Sequence, residues 1–174
     1  GPKPLAQVAG RPFLAYVLDG LAKSSIRRCI LATGYLADIV ESTIGKKWLG
    51  MEVVYSVEDQ PMGTGGATAH AVAERLMGNS THVLNGDTYL RYSPDLLELR
   101  TREARTTAGV ALAQVDNVSR YGAVIVSDGR VVSFEEKGGL GCGLINAGSY
   151  FLSNSALAIL GRQSAPFSLE TELL

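Results

Sequence analysis

Asp87 follows a short apolar run, Thr81-His82-Val83-Leu84, and has small neighbours in Asn85, Gly86 and Thr88. A lone carboxylate in that position suits a Mg2+ ion held beside a phosphate, because Mg2+ prefers hard oxygen ligands and keeps much of its water. Asn-Gly is also a hairpin signal. Here, however, the chain continues into Ser93-Pro94-Asp95 and a helical pattern rather than a return strand. A second loaded segment is Glu58-Asp59-Gln60-Pro61-Met62-Gly63-Thr64-Gly65-Gly66-Ala67. Its glycines let a ligand approach the backbone, and a helix starting behind them presents unpaired N–H groups. It has neither the GKS/T of a P-loop nor a GxGxxG, so it reads as a backbone-recognition loop for a base rather than for phosphates, with a plain strand-to-helix turn as the alternative. The third is Phe134-Glu135-Glu136-Lys137-Gly138-Gly139, followed by Ile145-Asn146-Ala147-Gly148. Alternation through Val132, Phe134 and Glu136 predicts Glu136 on the apolar face, where a carboxylate needs a partner such as a polyol. A solvated hairpin end is the competing reading.

Other reactive residue types carry less. His70 and His82 are the only histidines, so a His-rich zinc site is excluded. Cys29 reads as a core thiol. Cys142, between two glycines, is accessible but has no neighbour that marks it as a nucleophile. Trp48 and Tyr55 read as packing residues.

The surrounding chain is of a kind that folds. Of its 174 residues 46% are hydrophobic and 19% charged, which excludes disorder as the default state. Sixteen Lys+Arg against 17 Asp+Glu leave a net charge of −1, without the cationic face that salt-dependent nucleic-acid binding requires. No apolar run approaches the ~18 residues of a membrane span, and no apolar secretory segment follows Gly1-Pro2-Lys3-Pro4. Two cysteines without CxxC spacing read as reduced thiols of a cytoplasmic protein.

Helical and extended patterns alternate along the first half. Helices are predicted over residues 12–23, 36–44 (stopped by Gly45) and 67–77, and strands over 29–32, 52–57 and 81–84. Such alternation implies right-handed crossovers and a mostly parallel sheet with helices on both faces. The second half adds a helix over 94–102 and strands over 108–113, 123–126, 131–134 and 149–152. Residues 127–130 form a hairpin turn, and a final helix is capped by Asn154. The expected fold is α/β: a Rossmann-like, mostly parallel mixed sheet flanked by helices, with an antiparallel extension in the second half, in a single domain over residues 1–174. In such sheets ligands bind at the carboxyl ends of the strands, where the three loaded segments fall.

Taken together, Pro2-Lys3-Pro4-Leu5, Gly10-Arg11-Pro12, Pro61-Met62-Gly63-Thr64-Gly65-Gly66-Ala67, Asn85-Gly86-Asp87, Arg120-Tyr121-Gly122, Phe134-Glu135-Glu136-Lys137 and Ile145-Asn146-Ala147-Gly148 resemble the sugar-phosphate nucleotidyltransferase family. Their order and spacing cover nearly the whole chain. Leu84-Asn85-Gly86-Asp87-Thr88-Tyr89, Glu136-Lys137-Gly138, Gly143-Leu144-Ile145-Asn146 and Phe167-Ser168-Leu169-Glu170 are most similar to members that pass GMP from GTP to a D-glycero-α-D-manno-heptose 1-phosphate. Members using mannose 1-phosphate with GTP, or an amino sugar 1-phosphate with UTP, share most of the pattern, and a non-catalytic module that binds a sugar nucleotide is a further alternative. The resemblance implies attack of a sugar 1-phosphate oxygen on the α-phosphorus of the nucleoside triphosphate, with Mg2+ as cofactor. It implies Lys3 on the phosphates, Asp87 as the metal ligand, and Glu58, Gly63, Thr64 and Asn85 around the nucleotide. Gly122, Glu136 and Asn146 would hold the sugar, with Lys137 near its phosphate. It also implies a Gly-x-Gly-Thr-Arg-Leu loop after a first strand, and an Asp-(Ile/Val)-Gly-Thr-Pro segment further on. Neither is found in these 174 residues, and the expectation is that without them the chain is not fully active.

Overall fold

The computed structural model describes residues 3–34, 36–60, 63–75, 80–86 and 90–160. A 3-10 turn over Lys3–Leu5 leads into a miniature hairpin of β1 (Gln7–Val8) and β2 (Arg11–Pro12), which the sequence pattern does not announce. Helix α1 (Phe13–Ala22) follows directly, with Pro12 just before its first turn, where a missing N–H costs nothing. Strand β3 (Arg28–Thr33), helix α2 (Ala37–Ile44), β4 (Lys47–Trp48), β5 (Met51–Val57), α3 (Gly63–Arg75) and β6 (Thr81–Leu84) complete the first half. The second half comprises α4 (Pro94–Glu103), β7 (Ala108–Val115), β8 (Val124–Ser127), β9 (Arg130–Phe134), β10 (Gly143–Leu152) and α5 (Asn154–Leu160).

The strands form mixed sheets flanked by helices. In the order β3-β5-β4, β3 pairs with β5 in parallel from Arg28↔Glu52 to Thr33↔Val57, as the intervening helix α2 requires. In the order β6-β10-β7, both ladders are antiparallel, and β8 with β9 forms a separate hairpin. Among the described residues parallel pairing is therefore confined to one ladder, and the antiparallel part reaches further than the second-half extension. Two cores result. Leu14, Val17, Leu18 and Leu21 of α1 pack with Val40 and Ile44 of α2 and Met51 and Val53 of β5, and Leu84 of β6 closes against them. Tyr150 and Leu152 of β10 pack with Ala156, Leu157 and Leu160 of α5. Cys29 lies against the first core, where burial pushes its thiol up to about 12, in keeping with an inert role. No helix among the described residues is long and apolar enough to cross a membrane.

Three boundaries differ from expectation for physical reasons. Helix α3 begins at Gly63, not Ala67, because Gly65 and Gly66 are buried and let the first turn pack closely. Strand β10 runs from Gly143, six residues before the predicted start, so the Asn146 segment is not a loop. An irregularity in its pairing with β7 between Asn146 and Tyr150 had broken the strand-like pattern. The N-terminus of α5 is capped by Ser153, whose Oγ accepts from the Ala156 N–H at 3.3 Å, rather than by Asn154.

A small network fixes α1 against β4. Asp19 accepts from Arg11 Nη1 and from Trp48 Nε1, each at 2.9 Å, and the Arg11 guanidinium lies over the Tyr16 ring. The Arg11 hydrogen bond holds the Asp19 carboxyl below its ordinary 3.8, against the opposing effect of burial and with help from Trp48. A carboxyl depressed on folding stabilises above its ordinary value and loses that contribution as pH falls through its folded value. Asp19→Asn is therefore expected to lower Tm by a few degrees at pH 6, with the gap to the unsubstituted protein closing below pH 3.8. Trp48, the one tryptophan, reports the transition by fluorescence. A gap that persists undiminished into strong acid would show that the carboxylate charge is irrelevant.

Candidate functional site

Three groups of expected residues fall on three parts of the structure. The first surrounds the end of β6. Asn85 follows its last residue, and the Asn85 N–H donates to the Gly148 carbonyl of β10 at 3.2 Å. Gly148 has φ +76°, and a Cβ placed there would lie 2.8 Å from Asn85 Nδ2, so this close approach requires glycine. Asn146 sits two residues earlier. Its Oδ1 accepts the Gly148 N–H at 2.7 Å and its Nδ2 donates to Tyr150 Oη at 2.7 Å. Gly86 faces Pro4, which brings the turn beginning at Lys3 to the same place. The structure thus gathers the Lys3 backbone, Asn85 and Asn146 around one strand end. Asp87 lies outside the described residues, as does the side chain of Lys3.

The second group lies on the other three-stranded sheet, at the carboxyl ends of β3 and β5. The Glu58 N–H donates to the Thr33 carbonyl at 2.9 Å, so Glu58 leaves β5 just where its ladder ends. Among the described residues, neither Glu58 Oε2 nor Thr33 Oγ1, both buried, has a hydrogen-bond partner. Buried polar atoms are nearly always paired, and such a carboxylate oxygen has acceptor capacity left for an N–H or O–H donor. Gly63, which opens α3, is described in its backbone alone, as is Thr64.

The third group is the end of the β8–β9 hairpin. Gly122, buried and at φ +78°, turns beneath the backbone of Glu135, whose carbonyl oxygen lies 2.5 Å from where a Cβ would be. The Glu135 N–H donates to Ala123 and the Gly138 N–H to Ser119, so the segment bearing Glu136 and Lys137 is laced to residues 119–123 from both sides. The predicted burial of Glu136 on an apolar face is not seen. Strand β9 ends at Phe134, and Val132, Phe134, Glu136 and Lys137 are all exposed. Alternation stops where the strand stops, and the face itself is open.

His82 is engaged away from these groups. His82 Nε2 lies 3.1 Å from Glu98, which also pairs with Arg102, and the His82 ring packs on Phe151. Cys142 is exposed. Among the described residues no group of three or more His, Cys, Asp or Glu side chains could hold a metal ion, which leaves Asp87 to carry that expectation. A cavity of about 350 Å³ between α1 and residues 90–95 contains none of the expected site residues. Sequence reasoning missed Thr33 and Tyr150. The only signal for Thr33 was its place at the end of an apolar run, and nothing marked Tyr150.

A mixed α/β sheet with its polar groups at strand ends is the frame of an enzyme that handles nucleotides. Residues 1–172 match the nucleotidyl transferase family model, and the chain belongs to that family. It is 37% identical over 175 residues to D-glycero-alpha-D-manno-heptose 1-phosphate guanylyltransferase of Aneurinibacillus thermoaerophilus, covering 99% of this chain and 74% of that protein. The crystal structure of HddC from Yersinia pseudotuberculosis complexed with GMP-PN is similar over 100% of this chain and 76% of that one, with a TM-score of 0.83 and 30% identity. Mannose-1-phosphate guanylyltransferase of Mycobacterium tuberculosis is 35% identical over 140 residues, 78% of this chain and 38% of that one.

Proposed function

We propose that this protein transfers GMP from GTP to D-glycero-α-D-manno-heptose 1-phosphate, releasing pyrophosphate. The observation that carries the reading is the 37% identity to a heptose 1-phosphate guanylyltransferase across 99% of the chain. An oxygen of the sugar phosphate attacks the α-phosphorus, a new P–O bond forms, and the bond to the β-phosphate breaks. The step needs two anions aligned and their charge offset, with no covalent enzyme intermediate. Mg2+, when bound, neutralises phosphate charge and polarises the phosphoryl oxygens. Asp87 is its ligand in this reading, and Lys3 adds a cation to the phosphates.

Glu58 takes the base, with Gly63, Thr64 and Asn85 completing the nucleotide pocket. A carboxylate accepts hydrogen bonds only, and guanine offers it two adjacent donors on one edge, whereas uracil offers one donor between two acceptors. The buried, unpaired Oε2 supports this role. Gly122, Glu136 and Asn146 hold the sugar hydroxyls, and Lys137 meets the sugar phosphate. The test is pyrophosphate release by the full-length protein over a matrix of GTP, UTP and dTTP against heptose, mannose and glucosamine 1-phosphates. Turnover is expected to be greatest with GTP and the heptose. A maximum with mannose 1-phosphate would move the protein to the sibling activity, and no turnover with any pair would leave a binding module.

A further inference from the structure

We infer that Tyr150 is a positioning residue for sugar binding, acting through Asn146, and that the two belong to a hydrogen-bonded path running from β10 to Asn85 at the end of β6. This rests on the placement of Asn146 in the sugar site proposed above. The path has three links: Asn146 Nδ2 to Tyr150 Oη at 2.7 Å, Gly148 N–H to Asn146 Oδ1 at 2.7 Å, and Asn85 N–H to the Gly148 carbonyl at 3.2 Å. Chemistry fixes the direction of each link. A backbone N–H can only donate, so the atom facing Gly148 must be the amide oxygen. The nitrogen then faces Tyr150, whose hydroxyl must accept. Gly148 takes part twice, its N–H donating to Asn146 Oδ1 and its carbonyl accepting from the Asn85 N–H.

Tyr150 is itself held firmly. It is 5% exposed and packed in the second core with Leu152, Ala156 and Leu157. An asparagine side chain anchored at both ends is already oriented when a sugar arrives, so less ordering is charged against binding. The pairing irregularity of β10 between Asn146 and Tyr150 is what lets the two side chains meet four residues apart. In an unbroken strand, residues at that separation lie on the same face but about 13 Å apart.

Tyr150→Phe keeps the ring and removes the acceptor. In the full-length protein it is expected to lower kcat/KM for the sugar 1-phosphate about three- to tenfold, the size of one neutral hydrogen bond, while KM for GTP stays within about twofold. Asn146→Ala is expected to lose more, and the double variant no more than Asn146→Ala alone, because in this inference Tyr150 acts on the sugar through Asn146. The side-chain amide signals of Asn146, followed by 15N NMR without ligand, are expected to shift in Tyr150→Phe, with Tm lowered by no more than the few degrees that loss of one hydrogen bond brings. Additive losses, equal losses on GTP and sugar, or an unmoved Asn146 signal would each overturn the inference. An unsubstituted protein that turns over no sugar 1-phosphate would instead overturn the proposed function, with the amide signal still reporting whether Tyr150 orients Asn146.

Discussion

Asp87→Asn is expected to cut Mg2+-dependent pyrophosphate release by about 10²–10³-fold, the range found when one preorganised electrostatic group is removed from a transition state. The exchange preserves shape and removes the charge. The fold around it is secured by the backbone: β6 pairs with β10 from Thr81↔Leu152 to Leu84↔Ser149, and the Asn85 N–H is bound to Gly148. None of those bonds uses the Asp87 side chain, so Tm is expected to change little. Because the carboxylate serves the metal in this reading, the Mg2+ concentration for half-maximal rate should rise, and excess Mg2+ should restore part of the activity. Full activity in the variant, with an unaltered Mg2+ dependence, would remove Asp87 from the metal site and leave its family motif without a role. A parallel loss of Tm and activity would mean instead that the residue is structural.

Much of this arrangement was legible because periodicity and punctuation agree along most of the chain. Helix α1 with Val17, Leu18 and Leu21 inward, the Gly45 stop after α2, the Ser127–Arg130 turn and the β6 strand all fall where local chemistry puts them. The failures lie where the backbone departs from the local preference of its residues. Leu49 adopts φ +47° in the turn between β4 and β5, a conformation the sequence would assign to Gly or Asn, and the hairpin it makes went unseen. Gly63 to Gly66 is a poor helix on propensity, yet it opens α3, with Gly65 and Gly66 buried. The Asn146 segment read as a loop because Gly148 interrupts alternation, when it is a bend within the longest strand. For the site, the motifs singled out Asn85 and Asn146, but their link through Gly148 is visible only in the folded chain. The unpaired Glu58 and Thr33 oxygens have no sequence signature, because satisfaction of a hydrogen bond is a property of neighbours distant in the chain.

Gly122→Ala is expected to be the most disruptive single-methyl change in the sugar half of the site, and Gly129→Ala shows why. Both glycines have positive φ, +78° and +73°, so both alanines incur the left-handed strain of about 1–2 kcal/mol. At Gly129, in the exposed turn between β8 and β9, the new Cβ meets nothing within 4 Å. At Gly122 it would lie 2.5 Å from the Glu135 carbonyl oxygen, with backbone carbons of Glu135 and Glu136 at 3.6 Å. A side-chain tip could swing away, but this backbone is tied by Glu135 N–H to Ala123 and Gly138 N–H to Ser119. Relief therefore requires the whole Glu135–Gly138 segment to shift, and such overpacking adds about 1–3 kcal/mol. The same shift carries Glu136 away from where it would meet the sugar hydroxyls and Lys137 away from where it would meet the phosphate. Denaturant melts should show Gly122→Ala losing more stability than Gly129→Ala by that amount. Steady-state kinetics should show KM for the sugar 1-phosphate raised in Gly122→Ala and unchanged in Gly129→Ala, with KM for GTP constant in both. Equal stability losses would mean that the Glu135 backbone yields freely. A stability loss without any change in sugar KM would mean that the laced segment is scaffold and that Glu136 and Lys137 take no part in binding.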